Sequence, residues 1–522
     1  MTTDGIAVDQ SLPVGTVLAY VGLLPKDLVS RGWLVCDGSS RLARDYRELF
    51  GAISFNFGAR STDEPEFNLP DLRGRFIRST APDAAKRAQR DPEWAERGYL
   101  YAHGAVKEHV GSYQGYGTAK PRNPFSTRVG NLDIVSANDA AGCGANPASY
   151  HSGSVDLKLS GGDVETRPAN KYLYFIIKAF STKDGQPVLP PVGAVIPFAG
   201  PSQPAPPPPE QWDRCAGQSV AREGKYFRLY EAIGISQGSD GTKFRLPDYR
   251  GWFLRGVSEA ANTDPNRDTR VAPSPGGNAG NNVGSQQDWA TGLPYETGRQ
   301  VQTTFSALPT QNRGKYVDTL GRELARVNHG SVPLQLSLGQ SGDAETRPEN
   351  ISIDFYVKSQ PEGEVPVGTI AAIGVNLPAN DFWLPCDGRS LAIAEYQDLH
   401  KAIGTTYGSE PGRFRLPDTE GRFLRGASDT TGQDPDAARR IPAGSGEPAG
   451  VGSVQGFATG RPRTEFSVNV PNLPNSTIRT HGGARGGVAG INGPKDIDPW
   501  SKGGNADTRP VNVYLNCYIR AR

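Results

Sequence analysis

No apolar run in the 522-residue chain comes near the ~18 residues that a membrane-spanning helix needs, so membrane insertion is not expected. The opening residues, MTTDGIAVDQ, carry neither a basic head nor an apolar stretch, and the protein is expected to be made in the cytoplasm without a signal peptide. An excess of one charge is also missing. The chain has 56 basic and 55 acidic side chains, a net charge of +1, where a nucleic-acid binder normally shows a basic face, so no nucleic-acid partner is expected. Cysteine is scarce and odd in number, five in all, which excludes a disulfide framework.

Glycine (64) and proline (43) are plentiful instead. Together they are well above their usual share of roughly 12%, which favours turns and long shaped loops over long helices. The length predicts three or four domains rather than one core.

Four sequence blocks return in the same order, three times, at intervals of roughly 160 to 180 residues. The first is PVGTVLAYVG from Pro13, then PVGAVIPFAG from Pro191 and PVGTIAAIG from Pro366. The second holds Trp33 and Cys36, Trp212 and Cys215, Trp383 and Cys386, each cysteine two residues before a glycine. The third is FNLPDLRGRFIR, FRLPDYRGWFLR and FRLPDTEGRFLR, ending at Arg78, Arg255 and Arg425. The last begins at Glu165, Glu345 and Asp507 and runs Thr-Arg-Pro-x-Asn into an alternating stretch. The boundaries read from this are 1–180, 181–362 and 363–522, with brief linkers near 181–190 and 361–365, three beads on a nearly stiff string.

Between the second and third blocks, Tyr46, Leu49 and Ile53 recur as Tyr226, Leu229, Ile233 and as Tyr396, Leu399, Ile403. Their i, i+3, i+7 spacing predicts a helix of about two turns. Leu173, Phe175 and Ile177, with their counterparts, alternate with polar residues and predict a closing strand with one buried face. The Pro-Val-Gly block reads as a second strand, rich in β-branched residues. The middles, roughly 80–160, 257–338 and 427–501, show no sustained period and match poorly, except for Gly-Ser-x-Gln at Gly111, Gly284 and Gly452. Long irregular segments of this kind usually carry function or are disordered. The fold class is mainly β with short helices (α+β), with long Gly-rich insertions.

In this order the blocks resemble the phage tail collar family, typified by the end of short tail fibres, over nearly all of the chain. The resemblance implies three tandem collar domains and a part of a virion tail, baseplate or related contractile injection particle. Its partners would be other tail or baseplate proteins. Family members assemble with threefold symmetry, so this chain is expected as a homotrimer or, with three domains of its own, as a pseudo-trimeric monomer. Some members bind an axial metal through His-x-His after Gly-Ser-x-Gln. Here the six histidines are scattered and no such pair follows, which leaves an axial metal unsupported.

Trp-x-x-Cys-Asp-Gly suggests a nucleophilic cysteine beside an acid, but the second copy reads Cys215-Ala216-Gly217 and no base recurs. The three cysteines and tryptophans are therefore read as buried framework. Arg78, Arg255 and Arg425, and Arg167, Arg347 and Arg509, recur beside Asp71, Asp248 and Asp418, and Glu165, Glu345 and Asp507. Anion binding is one use for such arginines. Recurrence across three copies with different middles favours ion pairing within the repeat, Arg255 with Glu345 for example. Trp94, Tyr99, Tyr101, Tyr113 and Tyr116 cluster in the first middle as a candidate receptor contact, a sugar-stacking surface or an interface. No carboxylate pair stands apart from the repeats as a glycosidase requires, so no enzyme, catalytic residue or cofactor is expected. The expected function is structural and adhesive, contacting a host-surface glycan, against a purely structural baseplate part and, further off, a polysaccharide-degrading tail enzyme.

Overall fold

The structure, a computed structural model, describes residues 12–59, 65–119, 166–200, 210–258, 264–292, 346–348, 350–427, 433–442, 444, 450–460 and 508–522. It also gives the backbone of strands at 127–129, 151–158, 160–161, 302–310, 315–317, 323–337, 466–480, 485–486 and 495–497. Each repeat supplies five strands to one 15-stranded sheet. The Pro-Val-Gly blocks form opening strands Thr16–Tyr20, Ala194–Phe198 and Ile370–Ile373. Short tryptophan strands follow at Trp33–Val35, Trp212–Arg214 and Trp383–Pro385. The expected helix appears three times, at Arg47–Ile53, Phe227–Ile233 and Gln397–Ile403, with its Leu and Ile buried and its Tyr at the N-cap position.

The remaining three strands decide the architecture. Arginine strands lie at Phe76–Ser79, Phe253–Gly256 and Phe423–Gly426, and glutamine strands at Tyr113–Gln114, Gln286–Gln287 and Val454–Gln455. Closing strands occupy Asn170–Lys178, Asn350–Lys358 and Asn512–Arg520. The second half of each closing strand pairs antiparallel with the opening and tryptophan strands of its own repeat, Val17 opposite Ile177 and Val35 opposite Ile176. The first half leaves home. Asn170–Leu173 run parallel to Phe253–Gly256 of the second repeat, Asn350–Ile353 to Phe423–Gly426 of the third, and Asn512–Leu515 to Phe76–Ser79 of the first.

That last pairing closes a ring within one chain. The repeats are interlocked by strand exchange, unlike beads on a string. The opening strands also meet one another, Ala19 opposite Val195, Thr16 opposite Ile373 and Phe198 opposite Thr369. Beside them the three tryptophans, 0 to 3% exposed, join a core drawn from all repeats.

Two expectations change. The closing strands are buried on both faces, because the polar positions also point inward and bond to backbone. Lys178 Nζ donates to Leu12 O at 2.6 Å, Lys358 Nζ to Gly363 O at 2.6 Å, and Arg520 to Val365 O. The middles, read as irregular, hold long strands that pair between repeats. His151–Lys158 pairs with Gln302–Thr310, Glu323–Ser337 with Phe466–Thr480, and Thr127–Val129 with Lys495–Ile497. The first middle adds a helix, Ala84–Arg90, whose N-cap Asp83 accepts from the Ala85 and Lys86 amides.

Candidate functional site

At two of the three repeat junctions an arginine strand passes its neighbour so closely that no side chain fits between, while at the third Ser79 takes the place and its hydroxyl meets that of Thr419 at 3.1 Å. A Cβ on Gly256 would lie 1.9 Å from Leu72 O, and one on Gly426 1.7 Å from Tyr249 O. Phe76, Phe253 and Phe423, each 1% exposed, meet there in a small core of their own. The guanidinium of Arg78 lies 5.2 Å from the Phe423 ring, Arg255 5.3 Å from Phe76 and Arg425 5.1 Å from Phe253. The same arginines donate through Nε to the backbone of the preceding repeat in the ring: Arg78 to Gly421 O, Arg255 to Gly74 O and Arg425 to Gly251 O, at 2.9 to 3.0 Å.

Glu165, Glu345 and Asp507, and with them the expected Arg255–Glu345 pair, lie outside the described residues, and within the described residues the acids these arginines meet differ from the Leu-Pro-Asp aspartates. Arg78 pairs with Asp91 at 3.0 Å, Arg255 with Asp264 at 3.4 Å and Arg425 with Asp434 at 3.4 Å. Each aspartate also holds a second arginine, Arg97, Arg270 or Arg440, at 3.0 to 3.3 Å. Burial alone would raise these carboxyls, but the two flanking guanidiniums outweigh it and hold all three below the usual range. Burial pushes Arg270 and Arg440 down to about 10, so both stay charged at neutral pH.

The sequence carried this motif in the open. DPEWAER, DPNRDTR and DPDAARR share Asp-Pro and an arginine six residues after the aspartate, inside middles read as poorly matched. The third residue of the motif is used too. Arg509 bonds Glu93 at 2.5 Å, Arg167 bonds Asn266 at 3.0 Å and Arg347 bonds Asp436 at 2.7 Å, always from one repeat to the next. The closing strand completes the cluster. Tyr172 donates to Asp264 and Tyr514 to Asp91, while Arg270 and Arg97 lie 3.4 and 3.5 Å from the centres of those rings. The second repeat has Ser352 at that position, its hydroxyl without a hydrogen bond. Paired threonines tie the next layer: Thr118 donates to Gly292 O, Thr291 to Gly460 O and Thr459 to Ala119 O, at 2.8 to 2.9 Å.

The other sequence-selected residues lie around this frame. Cys36, Cys215 and Cys386 are buried, and burial pushes their thiols well above the usual range, away from the reactive thiolate. Trp33 and Trp212 donate to Leu189 O and Glu364 O at 3.0 Å. The five aromatics of the first middle are mostly tied down. Trp94 lies under Arg87, Tyr113 under Arg75, and Tyr101 donates to Asp71 at 2.8 Å; Tyr116 is half-buried and Tyr99 is exposed.

The three Leu-Pro-Asp aspartates sit in different surroundings. Asp71 takes Arg73 at 3.0 Å, Arg75 at 3.1 Å and Tyr101. Asp418 is clamped by Arg90 at 2.9 Å and Lys86 at 3.2 Å, both from the first repeat's helix. Asp248 takes Arg250 at 2.9 Å.

Residues 15–77, 193–254 and 368–424 each match the phage tail collar domain, from the opening strand into the arginine strand of every repeat and stopping one residue before its arginine. Protein RhiB of Rhizobium leguminosarum bv. viciae is 34% identical over 161 residues, 30% of this chain and 71% of that protein. The chain belongs to the phage tail collar family. In this collar protein the matched segments end where the exchange begins: the Asp-Pro motif and closing strand that lock the ring lie beyond them. Among the described residues no helix is long and apolar enough to cross a membrane.

Proposed function

We propose that this collar protein is a single-chain, pseudo-threefold appendage of a phage tail or contractile injection particle that contacts a host-cell surface. The observation that carries this reading is the division of labour around the ring. The repeated blocks make an interlocked frame, while the divergent middles are gathered by strand pairing between repeats. A rigid frame presenting variable segments is how binding surfaces are usually built. Other tail or baseplate proteins are its docking partners, and a host-surface glycan is the ligand class in view. Fluorescently labelled protein incubated with host envelopes should bind them saturably. A chain that binds no envelope but incorporates into particles favours a purely structural baseplate part.

A further inference from the structure

The junction around Asp248 contains a cavity of about 360 Å³, within the roughly 300–1,000 Å³ usual for small-molecule sites. All three repeats line it, with Lys171 from the first closing strand, Gln433 from the third repeat and the rest from the second. Lys171 is 3% exposed, and its ammonium lies 5.0 Å from the Trp252 ring. Among the described residues it has no hydrogen bond or ion pair. Two further lining groups are buried without a partner, the Gln237 carbonyl oxygen and Arg245 Nε. Burial of unpaired polar groups is costly, and three around one cavity mark a place where something else completes them.

This junction departs from the other two in sequence. Lys171 replaces Ile351 and Val513, Trp252 replaces Arg75 and Arg422, and Ala216 replaces Asp37 and Asp387. Elsewhere the aspartate is covered, by Tyr101 and Arg75 in one case and by Arg90 and Lys86 in the other. We propose that the cavity binds a carboxylated sugar, with its carboxylate on Lys171 and its hydroxyls on Gln237, Ser274 and Asp248. Lys171 and Arg245 line the cavity with Asp248, whose carboxylate is already paired with Arg250, so the surroundings are net positive and suit an anionic group. The acceptor and donor side chains beside an indole suit a ring with hydroxyls on its rim and C–H groups on its faces. Burial pushes Lys171 down to about 8, partly opposed by Asp248, so it still carries charge at neutral pH.

The site gives the surface-attachment reading a ligand and rests on that reading for its biological setting. Calorimetry of the full chain with galacturonate or glucuronate should show binding, at least tenfold weaker for glucose and for inorganic phosphate. Lys171→Met should weaken uronate binding at least tenfold without lowering the melting temperature, since it removes an unpaired buried charge. Ser274→Trp, on the half-buried rim, should block uptake without altering the core. No uronate binding, equal binding of glucose, preference for phosphate, or full binding by both variants overturns the assignment. Envelope binding is scored separately. A chain that takes up uronate but ignores envelopes overturns the attachment reading alone, and one that binds envelopes without uronate uptake overturns this site alone.

Discussion

Arg255 touches two repeats at once. It pairs with Asp264 of its own repeat, stacks over Phe76 and donates to Gly74 O of the first, all with no exposed surface. Arg255→Met strips a partner from a buried carboxylate, a change that typically costs about 3–5 kcal/mol. Because the contacts cross the junction, the whole ring should melt earlier in one calorimetric transition; an early transition of the middle repeat alone contradicts the exchange. The three clustered aspartates give acid sensitivity with a definite sign. Their folded pKa values are depressed, so their contribution is complete above the ordinary carboxylate pKa and is lost as pH falls through the depressed values. Melting temperature measured from pH 6 to pH 2 should fall steeply at the acid end. Asp264→Asn should start lower at pH 6 and show a shallower fall.

At the scale of elements, the closing strand shows how far a periodic pattern can be read. Its period of two is plain, yet both faces are buried, since Lys178, Asp354 and Arg520 find backbone or side-chain partners inside. Alternation tells which residues share a face, and only the neighbours tell whether the other face meets water. The helix Ala84–Arg90 is a device of the first repeat alone among the described middles, and it holds the third repeat through Arg90 on both Asp418 oxygens. Arg90→Ala should cost about 1.5–3 kcal/mol, the usual value of hydrogen bonds to a charged group, read from urea unfolding. An unchanged midpoint would mean that the clamp adds nothing.

For the whole molecule, closure of the ring within one chain sets the expected mass. Light scattering should give 55.9 kDa at all concentrations, and a threefold mass stable to dilution contradicts a single-chain pseudo-trimer. The exchange also limits which segments can be removed. Residues 100–119 contain Ser112 and Gln114, which bond Arg97 at 2.8 to 3.0 Å inside the first junction, so deleting them should open the ring. Replacing 120–165 with a Gly-Ser linker should leave far-ultraviolet circular dichroism of the frame intact while weakening envelope binding.

The sequence by itself determined the threefold repetition, the short helix with Leu49 and Ile53 inward, the opening and closing strands, and the buried state of the cysteines and tryptophans. These follow from local periodicity and recurrence, which one chain displays without reference to its neighbours. The Asp-Pro-x-x-x-x-Arg motif was legible in principle, and dissimilar flanking loops hid it. Only the tertiary structure decided which repeat each strand joins. Asn170, Asn350 and Asn512 begin nearly equivalent strands, and three nearly equivalent arginine strands offer each the same hydrogen bonds, so local pairing preference is degenerate among them. The degeneracy is broken by closing every junction at once. Pairing each strand with the next repeat brings Phe76, Phe253 and Phe423 into one core and leaves no arginine strand without a partner.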